Sequence, residues 1–142
     1  MPPRPVRPGT FHVTIRSVRG MYLLSPVGQK RLKEVILYLI AYVAKKFGLR
    51  IHEITVMSNH IHIMFTDVHG NRPAAMTLLN ALLARQINAL RGQTGSVFET
   101  YWAGEKLDDD ATVTNAVYVL ANPVKHHIVE RASEWTGVTT LQ

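Results

Sequence analysis

The run Met57-Ser58-Asn59-His60-Ile61-His62-Ile63-Met64-Phe65 decides the fold. Ile61, Ile63 and Phe65 fall on one side of an extended chain, and His60, His62 and Met64 on the other. This is a strand that buries its apolar side. Its other side holds two imidazoles about 7 Å apart along the backbone. Neutral imidazoles fixed on a rigid strand make a good start to a divalent-metal site. The same pattern also describes two solvent-facing histidines on a one-sided sheet, and the strand alone does not separate the two readings.

The flanking sequence builds a domain around this strand. Leu49 to Val56 reads as a strand, and Ser58-Asn59 as a tight turn, so the two strands pair as an antiparallel hairpin. Nearer the N-terminus, Phe11, Val13 and Ile15 alternate with His12, Thr14 and Arg16, which predicts a first strand. Gly20 to Pro26 is a connection. From Val27 to Phe47 the period becomes helical, with Leu32, Val35, Ile36, Leu39 and Val43 as the stripe and Gly48 as the stop. After a loop over Asp67 to Pro73, a second helix turns Met76, Leu79, Leu82, Leu83, Ile87 and Leu90 inward. Arg85 and Arg91 fall on or near its exposed side. Gly92 to Gly95 breaks it, and Val97 to Trp102 is expected as a fourth strand. Asp108-Asp109-Asp110 suits the start of a last helix, which runs through Tyr118 and stops near Asn122-Pro123.

The order β-α-β-β-α-β followed by a helix predicts an α+β, ferredoxin-like (RRM-like) fold: an antiparallel sheet with two helices on one face and a C-terminal helix carrying the tyrosine. The helices need the face of Ile61, Ile63 and Phe65. His60 and His62 are then expected on the open face, within reach of a substrate. The 142 residues suit a single domain spanning 1–142, with residues 1–9, rich in Pro and Arg, as a flexible basic arm.

Composition narrows the function. The absence of cysteine excludes disulfides and thiolate metal sites, leaving His, carboxylate and amide as ligands. No apolar run is long enough for a bilayer, and Met1-Pro2-Pro3-Arg4-Pro5 has no signal-peptide core, so a cytoplasmic protein without a membrane partner is expected. The net charge is +6, and it is uneven: no Asp or Glu precedes Glu34, whereas Arg4, Arg7, Arg16, Arg19, Lys30, Arg31 and Lys33 do lie in or before that segment. Such a basic third suits a polyanion, most simply nucleic acid. A solvated basic surface is the plain alternative.

Tyr118 and Asn122 are four residues apart on the last helix and so share a side. A phenol and an amide placed there could face the histidine pair, with the amide oxygen of Asn122 joining His60 and His62 around Mg²⁺ or Mn²⁺. A packing tyrosine and a helix-ending asparagine fit the same spacing.

Several stretches, in order, resemble the REP-associated tyrosine transposases, single-tyrosine enzymes of the His-hydrophobic-His endonuclease superfamily. Phe11-His12-Val13-Thr14 resembles their opening strand, and Val56 through His62 their V-M-P-N-H-V-H motif, with Ser58 in place of Pro. Gly95-Ser96-Val97-Phe98 resembles a G-x-V-F segment. Tyr118 through Lys125 with Ile128-Val129 resembles the tyrosine motif, with His126-His127 where Gly is common, and Glu134-Trp135 resembles the Trp-Pro pair. The likeness spans about residues 11–136. Glu99-Thr100-Tyr101-Trp102 is less basic than the corresponding family segment.

The resemblance implies a metal-dependent endonuclease and strand transferase acting on single-stranded or hairpin DNA, in the nucleoid of a bacterial cytoplasm, as a monomer or homodimer. It implies Tyr118 as nucleophile, forming a 5′-phosphotyrosine. It implies His60, His62 and Asn122 as ligands of Mg²⁺ or Mn²⁺. Arg16, Arg19, Arg85 and Lys125 are the expected DNA-backbone contacts. Two other classes compete: a non-catalytic nucleic-acid-binding module (a domesticated transposase), and a small metal-dependent hydrolase that uses water. The hydrolase leaves Tyr118 without a role and has no obvious carboxylate base beyond Asp67.

Overall fold

The computed structural model describes residues 7–25, 31–106 and 114. The elements are β1 (Gly9–Arg16), a short 3-10 turn (Val18–Gly20), α1 (Leu32–Phe47), β2 (Leu49–Val56), β3 (His60–Asp67), α2 (Arg72–Arg91) and β4 (Trp102–Lys106). The sheet order is β2-β3-β1-β4, antiparallel throughout. This is the ferredoxin-like arrangement expected from the sequence.

The two central strands bring like to like. Phe11 lies opposite Phe65, Val13 opposite Ile63, and Ile15 opposite Ile61, all nearly inaccessible to solvent. They form one apolar face, joined by Ile54 and Val56 of β2. Leu32, Ile36, Leu39, Ile40 and Val43 of α1 and Met76, Leu79, Leu83 and Ile87 of α2 belong to the same core. Burial of this surface, at about 25 cal/mol per Å², drives folding.

β2 departs from simple alternation. A bulge between Ile51 and Glu53 adds His52 to the strand, so Ile51 and Ile54 both face the core although they are three residues apart. His52 Nε2 lies 2.7 Å from the Thr66 hydroxyl.

Helix α1 passes into β2 without a loop because Gly48 adopts φ 68°, a left-handed conformation that reverses the chain at little cost. A side chain there would also strike the His69 ring, since its Cβ would lie 2.6 Å from Cδ2.

Helix α2 depends on Asp67. This carboxylate is fully buried and accepts hydrogen bonds from the Asn71 N–H (3.0 Å) and the Arg72 N–H (2.8 Å) at the start of the helix. It satisfies two orphan donors and sits at the positive end of the helix dipole. The Asn71 side-chain amide donates to the Phe47 carbonyl at 3.2 Å, tying the start of α2 to the end of α1.

Some expectations need correction. The fourth strand is Trp102–Lys106, not Val97–Trp102. Phe98 makes only an isolated bridge to Ser17, and regular pairing with β1 begins at Trp102 opposite Thr14. An edge strand leaves one side to solvent, so its hydropathy carries little register information. β1 begins at Gly9, inside the expected arm, where it pairs with Asp67. Arg91 is not a solvated surface charge: its Nε donates to the Leu23 carbonyl (2.7 Å) and its Nη2 to the Ser25 carbonyl (3.0 Å). The expected start of the first helix and the whole tyrosine-bearing segment fall largely outside the described residues, although Thr114 is helical.

Asp67→Ala is expected to destabilise the domain by about 2–4 kcal/mol, because it leaves buried N–H groups without acceptors. Asp67→Asn keeps one acceptor and should lose less. Urea midpoints at constant m value measure both. Equal stability of wild type and Asp67→Ala would contradict the capping role.

Candidate active site

The sheet face away from the helices carries His12 and Thr14 from β1, Thr55 from β2, His62 and Met64 from β3, and Trp102 from β4. The sequence suggested an open face. Instead, His12 and His62 are each 5% exposed, and Thr14, Thr55 and Met64 are also buried. His62 sits on a central strand with Thr14 opposite it on β1 and Thr55 opposite it on β2. The face is therefore a buried polar layer, and its polar groups need partners.

Most of them have one. His62 Nδ1 lies 2.9 Å from His12 Nε2 and 3.3 Å from the Thr14 hydroxyl. His60 Nδ1 lies 2.7 Å from the Asn59 side-chain oxygen. That oxygen only accepts, so His60 donates through Nδ1–H, and a neutral His60 has its lone pair on Nε2. The two rings stand 4.8 Å apart between centroids and nearly perpendicular, at 89°. Each histidine thus has Nδ1 against a protein partner, the side from which metal-binding imidazoles are usually oriented. The donor set fits an ion of borderline hardness. Among the described residues no group of three or more His, Asp or Glu could hold an ion, so an ion at His60 and His62 would need further ligands.

His12 was not picked out from the sequence as a site residue. Strand alternation places it on the face of His62, but its contact with that ring depends on β1 lying beside β3. Its ring also meets Trp102 edge-on at 5.8 Å and 85°. Burial, with the Lys106 charge in support, pushes its pKa down from 6.5 to about 4, so it is neutral at pH 7.

Beside the histidines lies a cleft of about 140 Å³ lined by Arg16, Ser17, Gly20, Asn59, His60 and Glu99. Arg16 is exposed and pairs in register with His60. The Ser17 N–H donates to the Asn59 carbonyl at 2.9 Å, and the Leu24 N–H to the Ser58 carbonyl at 2.9 Å, so the hairpin turn before His60 is held by the chain after β1. Arg19 is exposed in a left-handed conformation (φ 53°) beside Gly20. Glu99 supplies a carboxylate near His60 that sequence reading had not located.

Of the expected site residues, the fold brings together His60, His62 and Arg16, with Arg19 close to the cleft rim. Arg85 is exposed on α2, in the helical layer across the sheet from the histidines. Tyr118, Asn122 and Lys125 lie outside the described residues.

The depressed pKa of His12 has a defined consequence for stability. Unfolded His12 takes up a proton near pH 6.5, and the folded form near pH 4. Its contribution is complete above pH 6.5 and is lost as pH falls from 6.5 towards 4, at about 1.4 kcal/mol per pH unit. His12→Phe should flatten this part of the profile. Urea unfolding of both proteins between pH 7 and 4.5 tests it, and parallel profiles would refute the assignment.

The family profile described as Transposase IS200 like matches residues 13–105. The fold resembles that of a REP-associated tyrosine transposase solved bound to a REP hairpin, with a TM-score of 0.76 and 19% identity over 99% of this chain and 81% of the other. It also resembles a putative transposase from Deinococcus radiodurans R1, with a TM-score of 0.54 and 12% identity over 84% of this chain and 94% of the other. No curated protein matches the sequence.

Proposed function

The chain belongs to the IS200-like transposase family, and on that premise we propose that it is a metal-dependent endonuclease and strand transferase for single-stranded or hairpin DNA. The observation that carries the reading is the arrangement of His60 and His62: neighbouring rings on one strand, each with Nδ1 bound to a protein partner. The solved relative bound to a REP hairpin supports DNA as the partner.

In this reading His60 and His62, with Asn122 as third protein ligand, hold Mg²⁺ or Mn²⁺. The ion supplies Lewis-acid polarisation of the scissile phosphate. Arg16 and Arg19 hold backbone phosphates beside it. The Tyr118 oxygen attacks phosphorus in line with the departing 3′-oxygen. The Tyr118 O–P bond forms, the P–O3′ bond breaks, the phenol gives up its proton, and the 3′-oxygen gains one. The 5′-phosphotyrosine keeps a phosphoester bond, so attack by a second 3′-hydroxyl rejoins the strand and regenerates the phenol. A tyrosine with a pKa near 10 is a weak nucleophile at pH 7, so the site must favour the phenolate.

Glu99 favours a second reading, a hydrolase in which this carboxylate activates water beside His60. The two differ in whether a covalent adduct forms.

Wild type should form a protein–DNA adduct on a cleavable single-stranded oligonucleotide with Mg²⁺ or Mn²⁺. Tyr118→Phe, His60→Ala and excess chelator should each abolish it. Tyr22 and Tyr38 are 71% and 69% exposed, so the adduct must be mapped by peptide analysis. An adduct on another tyrosine refutes Tyr118. Cutting without an adduct that survives Tyr118→Phe supports the hydrolase. Binding with no cutting by wild type indicates a non-catalytic module.

The phosphate contacts are tested separately. Affinity for single strands should fall steeply with salt, and Arg16→Ala with Arg19→Ala should lower the log–log slope by about 0.7 per lost contact. An unchanged slope would remove both residues from the interface.

A further inference from the structure

We propose that His12 is a positioning residue that accepts a hydrogen bond from the Nδ1–H of His62, holding that imidazole in the tautomer and orientation whose Nε2 binds a divalent cation. The proposal rests on the reading of His60 and His62 as metal ligands.

The 2.9 Å contact between His62 Nδ1 and His12 Nε2 can be made in two ways. If His12 donates from Nε2–H, a neutral His62 carries its own proton on Nε2, which closes that nitrogen to a metal. If His62 donates from Nδ1–H, its Nε2 holds a lone pair in the plane of the ring. Only the second arrangement serves a metal site.

Two observations favour it. The Thr14 hydroxyl lies 3.3 Å from the same His62 nitrogen. One N–H can be shared between the His12 ring nitrogen and the Thr14 oxygen. The single in-plane lone pair of an acceptor nitrogen is poorly suited to two donors. Second, His60 has the matching arrangement, with Nδ1 against the acceptor-only oxygen of Asn59 at 2.7 Å. Both rings are then oriented by an acceptor on Nδ1.

The surroundings hold His12 in place. It is buried on β1, diagonal to His62 across the strand pair, since Thr14 is the direct partner of His62. On its other side Gly104 is its partner on β4, and the Trp102 indole lies over that glycine. A Cβ at Gly104 would stand 2.5 Å from the indole, so glycine is what lets Trp102 meet the His12 ring edge-on.

The test uses ¹⁵N NMR of the histidine side chains in the metal-free full chain, with His12→Phe and His12→Gln as variants. In wild type His62 should be the Nδ1–H tautomer. His12→Phe removes the acceptor and should shift His62 towards Nε2–H. His12→Gln restores an acceptor at a similar reach and should retain the wild-type tautomer. Mn²⁺ affinity by calorimetry should fall about 10–100-fold in His12→Phe and recover in His12→Gln. A merely structural role would lower the melting temperature without moving the tautomer. An Nε2–H tautomer in wild type overturns the proposal, as does a tautomer or Mn²⁺ affinity unchanged in a folded His12→Phe. Should that variant fail to fold, the wild-type and His12→Gln spectra decide. A wild type that binds no Mn²⁺ overturns the metal reading, while the metal-free tautomer still decides the role of His12.

Discussion

The antiparallel register of β1 against β3, from Gly9 opposite Asp67 to Arg16 opposite His60, determines both faces of the molecule. On one face it places Phe11, Val13 and Ile15 against Phe65, Ile63 and Ile61. On the other it brings Thr14 and His12 to His62, and Arg16 to His60. A slip of one residue would reverse the facing of every side chain in the slipped strand. Phe11 and Ile15 would leave the core as His12 left His62. The burial that stabilises the domain therefore also enforces the geometry of the site.

That coupling changes how the histidines should be regarded. On an open sheet they would be stability-neutral side chains. Here His62 is buried, and its partner His12 is buried and neutral. Removing one ring takes away a hydrogen-bond partner of the other in a poorly solvated layer, at a cost of about 1–3 kcal/mol. His60, half-buried at the strand end and oriented by Asn59, is the more independent of the pair. The two histidines are chemically alike but differently embedded.

Elements with a strong period were legible in the sequence. Helix α2 shows its stripe every three or four residues, and β3 alternates without interruption. Their connectivity then leaves few sheet orders. Features set by neighbours were less legible. His52 reads as part of an irregular alternation until pairing with β3 shows a bulge. The segment from Val97 looks like a strand because its side chains suit one, yet only one bridge forms before Trp102. Arg91 reads as a surface charge because its carbonyl partners lie more than sixty residues away in sequence. In the site, the His-x-His spacing was visible in β3, whereas the contribution of His12 required the adjacent strand.

The same fold separates charges that composition alone groups together. Asp67, a carboxylate on the histidine strand itself, has both oxygens committed to the N-terminus of α2 and is fully buried, so it serves the helix and not the chemistry. Arg85 belongs to the helical layer across the sheet. Arg16 and Glu99 remain beside His60, one cation and one carboxylate lining a single cleft. A phosphate entering there gains from the arginine and is repelled by the glutamate. Divalent charge on His60 and His62 would offset that repulsion, since both the phosphate oxygens and Glu99 would then face a cation. On the proposed reading, binding of metal and of DNA in this cleft should thus reinforce one another, because each supplies charge that the other needs.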